Sequence, residues 1–262
     1  MPNALKPNVI AFQMEPWPVN REGIVYMWDS GNAFNAVYRE WANDIREIRL
    51  SRTTGIDRHG RMNTANGQFG TGFFSQSGAR MDFQDLVKSD QMTLELTFQT
   101  ESLDQSRDKF PVRIVNCSAW HDGDWNVMLG QQKNTLLFSI RTNENILDMD
   151  GNPAGNVLHG RAPVYEIAKL TDTNPHHLTV TYKSGDLRAY MDGKQVFQSD
   201  EVKGSLSNWG YGELVFGGNH NSGRYRWNGL LDGVAFYRRA LEPQEVAANY
   251  KQVQKRLESR KD

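Results

Sequence analysis

PHHLTVTYKSGDLRAYMDGKQV, residues 175–196, is the stretch that decides the fold. Its apolar and polar residues alternate with a period of two, the spacing of strands that bury one face. The alternation breaks at Ser184-Gly185-Asp186 and again at Asp192-Gly193. These residue types supply the positive φ that a tight hairpin turn requires, so the stretch predicts a meander of hairpins. Upstream, QMTLELTFQTE (91–101), PVRIVNCSAW (111–120), WNVMLGQQ (125–132) and NTLLFSIRTN (134–143) repeat the pattern, and ELVFGGN (213–219) repeats it downstream. Many short strands punctuated by Gly, Asn, Asp and Pro, with no helices between them, predict an all-β sandwich or barrel.

The flanks read differently. Pro2, Pro7, Pro16 and Pro18 crowd the first 20 residues. They deny helix and central-strand hydrogen bonds, which predicts an extended arm lying on the domain. GIVYMWDSGN (23–32) reads as a strand that stops at the turn-forming run Asp29-Ser30-Gly31-Asn32. Val37, Trp41, Ile45 and Ile48 fall at helical spacing, so a short amphipathic helix is expected near 36–48, with an end able to run into a strand. Residues 58–83 are Gly-rich and read as irregular β structure. After LLDGVAFY (230–237), Pro243 and Glu245 suit the first turn of a C-terminal helix. The organisation expected is an arm over 1–20, one domain over 21–250, and a helix end with a tail over 251–262.

Composition narrows the function classes. The 262 residues include 30 Lys+Arg against 31 Asp+Glu, a balance that gives no electrostatic case for nucleic acid or an anionic membrane as partner. No run reaches the roughly 18 to 20 apolar residues of a membrane span, and MPNALKPNVIAF lacks the order of an export signal. Cys117 is the only cysteine, which excludes an internal disulfide and reads as a buried small hydrophobe. GxSxG, HExxH, a phosphate loop and a clustered ExDxE pair are all missing.

Taken in order, the 175–196 stretch, ELVFGGN, and WNGLLDGVAFYRRALEPQEVAANY (227–250) resemble the laminin-G-like jelly rolls of the concanavalin A-like lectin/glucanase superfamily. GIVYMWDSGN, MTLELTFQT and WNVMLGQQKNTLLFSIRT resemble exported bacterial, planctomycete-type versions, so the resemblance covers roughly Gly23 to Tyr250. It implies two antiparallel sheets in a jelly-roll sandwich, one of them concave, with ligands at that face or at the rim loops. It also implies an extracytoplasmic or secreted setting. Chemistry does not follow from it, because one fold hosts lectins, adhesion modules, glycosidases, lyases and accessory subunits.

The resemblance further implies that Asp29 could help hold a structural calcium against the closing strand that contains Asp232. The alternative is an Asx turn and a bonded strand-end carboxylate. Asp148-Met149-Asp150-Gly151-Asn152 mimics half a calcium loop but lacks its twelfth-position Glu, and reads as a solvated loop. For ligand binding, Trp120, His121, Asp122, Asp124, Trp125 and Asn126 crowd one turn between two strands. Indole faces and Asp or Asn side chains together suit saccharide recognition, although the same residues serve as core lids and turn formers. Arg141, Asn143, Trp209, Asn219, Tyr225 and Trp227 lie on other loops and join the same surface if the loops converge. His176 and His177 point to opposite faces of a strand and so are poor partners for one metal ion; one is expected to be buried, the other exposed. Glu95 is a candidate catalytic carboxylate that lacks a nameable second acid. The leading expectation is a non-catalytic module binding glycan or protein. A glycoside hydrolase or polysaccharide lyase, and an accessory subunit of an envelope complex, stand as alternatives, and oligomeric state is left open.

Overall fold

The structure, a computed structural model, describes residues 17–30, 46–47, 57, 59–64, 73–74, 83–106, 110–118, 125–144, 164–209, 213–218 and 225–260. In chain order the strands are β1 (Ile24–Asp29), β2 (Arg46–Glu47), β3 (Met62–Asn63), β4 (Phe73–Phe74), β5 (Gln91–Thr100), β6 (Val112–Ser118) and β7 (Trp125–Gln132). There follow β8 (Thr135–Ile140), β9 (Tyr165–Lys169), β10 (His176–Lys183), β11 (Asp186–Met191), β12 (Lys194–Ser199), β13 (Glu213–Phe216) and β14 (Gly229–Tyr237). Helix α1 spans Gln84–Ser89 and α2 spans Pro243–Glu258.

The strands form two sheets. One runs β12-β11-β10-β5-β14-β1-β2, with β3 also on β14; the other runs β4-β13-β6-β7-β8-β9. Every pairing is antiparallel except β1 with β2. The β10-β11-β12 meander sits where the turn chemistry places it. At its second turn Asp192 and Gly193 have φ of 51° and 74°, the double positive φ that a two-residue hairpin demands.

Alternation assigns the faces. On β5, Met92, Leu94, Leu96 and Phe98 enter the core between the sheets, where they join Val127 and Leu129 of β7 and Leu178 and Val180 of β10. Thr93, Glu95 and Thr97 point the other way, yet they too are buried. A sandwich sheet with a solvated outer face would expose them. Here a third layer covers that face: Trp17, Ile24, Met27, Tyr190, Ala235 and Tyr237 pack with Leu241, Val246 and Val253 in a second apolar cluster. Gly233 leaves room for this layer, since a Cβ there would lie 2.5 Å from the Trp17 ring.

Helix α2 starts where Pro243 and Glu245 place it. Glu242 and Glu245 form a reciprocal capping box, and both terminal nitrogens of Arg239 bond the Glu245 carboxylate at 2.6 and 2.7 Å. Of the helix expected near 36–48, residues 36–45 and 48 lie outside the described residues, and Arg46–Glu47 run as a strand beside β1. The short helix among the described residues is α1. Two residues cannot satisfy a helical ladder, whereas a parallel pairing with β1 satisfies their backbone groups.

Candidate functional site

The outer face of the six-stranded sheet carries a stack that no single stretch of sequence displays. Val215, Asn116, Met128 and Ser139 stand side by side across β13, β6, β7 and β8, all buried. At one side of this row, β6 slips register against β7 between Arg113 and Val115, a bulge of the kind that re-aims side chains. The Arg113 guanidinium lies between two rings, 4.4 Å from the Trp125 centroid and 4.5 Å from that of Tyr225. Cation–π contacts of this sort contribute about 0.5–2 kcal/mol each. Phe110, 55% exposed, meets Tyr225 edge-on at 5.9 Å.

Backbone geometry fixes the stack. The Arg113 N–H donates to the Tyr225 carbonyl at 2.8 Å, and Arg113 bridges Arg226. Tyr225 adopts φ of 58°, a left-handed conformation that costs a non-glycine residue about 1 kcal/mol or more. A second bulge, opposite Ser118, inserts Asn126 beside Trp125; both are buried. Trp125, Asn126 and Tyr225 were expected at a ligand surface, and Arg113 was missed. Its signal is a cation inside an otherwise apolar strand, VRIV, which needs a partner to be tolerated there.

The other expected ligand residues sort into different places. Arg141, Asn143 and Trp209 do converge: the Trp209 indole N–H donates to the Arg141 carbonyl at 2.6 Å, and Asn143 Oδ1 accepts from the Ser205 N–H at 2.7 Å. Trp209 is nevertheless buried, edge-on to Phe83 at 5.7 Å, so it closes the core. Trp227 is also core. Its indole N–H donates to Gln131 Oε1 at 2.9 Å, and Gln131 also bonds Thr100, Ser102 and Lys133, seaming the two sheets together. Trp120, His121, Asp122, Asp124 and Asn219 lie outside the described residues, as does the Asp148–Asn152 run.

Asp29 and Asp232 are neighbours, as the resemblance implies, but their partners are cations. Arg256 donates to Asp29, Arg260 donates to Asp232 at 2.7 Å, and Ser30 donates to Asp232. Burial alone would raise the Asp232 carboxyl; the Arg256 and Arg260 charges and the bonds from Arg260 and Ser30 outweigh it and hold the group below its usual value. Calcium needs six to eight oxygen donors. Among the described residues this pair is surrounded by guanidinium nitrogens instead, and no group of three or more His, Cys, Asp or Glu side chains is placed to hold a metal ion. This donor set does not fit calcium.

Glu95 lies beneath α2, fully buried. Its carboxylate accepts from His177 Nε2 at 2.7 Å, the Tyr237 hydroxyl at 2.7 Å and the Asn249 amide at 2.9 Å. Burial, with Glu95 adding to it, pushes the Tyr237 hydroxyl well above its usual range. Asn249 Oδ1 in turn accepts from the Val19 and Asn20 N–H groups at 3.1 and 3.0 Å, tying the arm to the helix. His176, expected to be exposed if His177 is buried, is itself nearly buried and bonds Asp192 through Nδ1 at 2.8 Å. The polar residues Asn249 and Arg256 share the buried stripe of α2 with Val246 and Val253, and that is the sequence signal for this polar seam. A separate open cleft of about 340 Å³ at the β3–β14–β5 end is lined by Asn63, Gln99, Glu101, Thr173 and Leu230.

Two packed antiparallel sheets with these topologies define a jelly-roll β-sandwich. The chain belongs to the concanavalin A-like lectin/glucanases superfamily, whose laminin-G family model matches residues 73–247. Among solved structures, Trypanosoma rangeli sialidase in complex with sialic acid is similar at 14% identity and a TM-score of 0.52, covering 91% of this chain and 34% of that one. Domain 4 of AbnA, an extracellular arabinanase from Geobacillus stearothermophilus, is similar at 18% identity and a TM-score of 0.43, covering 68% and 72%. The botulinum neurotoxin DC binding domain, in complex with rat synaptotagmin II, is similar at 10% identity and a TM-score of 0.43, covering 70% and 39%. The chain thus spans about two fifths or less of the toxin and sialidase chains it matches. No curated protein sequence matches. Among the described residues, no helix is long and apolar enough to cross a membrane.

Proposed function

We propose that this chain is a non-catalytic recognition module that binds a glycan at the Trp125–Arg113–Tyr225 stack. The observation that carries the reading is that stack, with the exposed Phe110 ring beside it and Tyr225 held at positive φ. Phe110 supplies the ring face open to the C–H side of a sugar, Trp125 and Arg113, themselves buried, back the half-buried Tyr225, and strained backbone collects at ligand clamps. The alternative of catalysis loses its one candidate acid, because Glu95 is sealed from solvent and saturated by three donors. An exported or envelope setting belongs to the same proposal.

A glycan array that includes sialylated and arabinan oligosaccharides, run beside assays for reducing ends and unsaturated products, tests it. The expected result is saturable binding to one glycan class without product release, lost in Tyr225→Ala and weakened in Phe110→Ala. Product release from any saccharide, or glycan binding unchanged in both variants, overturns the proposal. Binding to a protein ligand alone would transfer the same surface to a protein partner and refute the glycan assignment.

A further inference from the structure

Where the family resemblance places a divalent cation, this chain places two side chains of its own. We infer that Arg256 of α2 and Arg260, just beyond the helix end, replace a structural metal ion at the junction of β1 and β14, making the domain independent of calcium. The inference stands on the partners of two carboxylates. Asp29 ends β1 and Asp232 lies in β14, the strand paired with it. Both are buried, and a buried carboxylate persists as an anion only when it is paired and hydrogen-bonded. The two guanidiniums supply two positive charges, the charge a calcium ion would bring. They also present N–H groups in planar forks that suit carboxylates. Ser30 adds a hydroxyl that bonds Asp232 and also accepts from Arg260 at 2.8 Å.

Location distinguishes this clamp from a surface ion pair. Arg256 is buried, sits over the Trp17 ring at 5.9 Å, and belongs to the stripe of α2 that faces the sheet. An ion between strands pins only the strands. Arginines reaching in from α2 and from the turn that follows it pin the strands and the helix together, so the same charges that neutralise the aspartates dock α2. A divalent cation at this site would face two fixed positive charges already bonded to its oxygen ligands.

The test compares thermal melting of the full chain in millimolar calcium and in chelator, with terbium titration read through emission sensitised by Trp28 and Trp17. The native chain is expected to melt at the same temperature in both and to show no saturable terbium signal. Arg256→Gln/Arg260→Gln leaves two uncompensated carboxylates, so that variant is expected to melt lower and to be partly restored by calcium. A native chain that melts higher in calcium, lower in chelator, or binds terbium saturably overturns the inference, as does a double variant that melts like the native chain. Should the double variant fail to fold, Arg260→Gln alone, at the more exposed position, carries the calcium-rescue arm.

Discussion

Replacing Glu95 by Gln changes one atom and leaves the shape of the side chain intact. The native carboxylate accepts three hydrogen bonds, at 2.7, 2.7 and 2.9 Å, in a site closed to solvent. An amide offers one oxygen and one two-proton donor. If the nitrogen faces Tyr237 and Asn249, the Tyr237 hydroxyl can turn to the Asn20 carbonyl and accept, but the Asn249 amide meets it donor to donor; if it faces His177, the imidazole must shift its proton to Nδ1 to accept. The second arrangement keeps the bonds but makes all three neutral. A bond to a charged group contributes about 1 kcal/mol more than a neutral one, so about 3 kcal/mol of stability is lost. For a domain of this size that corresponds to a fall in Tm of about 6 to 12 °C. Calorimetry of Glu95→Gln beside Glu101→Gln, an exposed control, reads the difference directly. Hydrogen exchange should show protection lost first in α2 and residues 17–20, the elements joined through Asn249. A fall in Tm no larger than that of the control would refute the reasoning, because it would mean that the three bonds do not hold the helix down.

Two further outcomes follow from the same face. The hydrogen bond to Asp192 raises the His176 imidazole, so its contribution is present below about pH 6.5 and is lost as pH rises through the raised value. Burial pushes Asp192 up, but the His176 bond and the His177 N–H outweigh it and leave the carboxyl lowered; its contribution is present above about pH 4 and is lost as pH falls through the lowered value. The difference in Tm between the native chain and Asp192→Asn should therefore be largest between those limits, and a difference independent of pH would exclude this pair as the cause. Gly193→Ala should destabilise the domain by about 1–3 kcal/mol in urea titration, because the residue sits at φ of 74° and a Cβ would lie 2.8 Å from the Tyr250 ring. A variant as stable as the native chain would show that the hairpin and α2 are not in firm contact.

What could be read from the sequence divides by the range of the interactions involved. The β10-β11-β12 meander and the start of α2 were legible because Ser184-Gly185, Asp192-Gly193, Pro243 and Glu245 act on the backbone within a few residues of themselves. The proximity of Asp29 to Asp232 was legible from the family resemblance. That their partners are arginines was not, because Arg256 is 227 positions from Asp29. The sequence offered the tryptophans both as sugar-binding faces and as core lids, and composition cannot say which contacts each one makes. Trp209 and Trp227 close the core through a carbonyl and a glutamine far away in sequence, while Trp125 stacks on Arg113. The short stretch Arg46–Glu47 went to a strand because β1 offered a free edge on that side, which local helical spacing does not register.

The position of β5 bears on how the chain comes off the ribosome. Its neighbours in the sheet are β10 and β14, and the partners of its one acidic residue are His177, Tyr237 and Asn249. A nascent chain that has passed Thr100 therefore holds a strand with two bare edges and a carboxylate whose three native donors have yet to be made. More than 140 further residues must be synthesised before the last donor arrives. Such intermediates, with open strand edges and apolar faces uncovered, are the ones that aggregate. Fragments ending before α2 should depend on chaperones during synthesis, and the domain should complete its folding only after α2 is free.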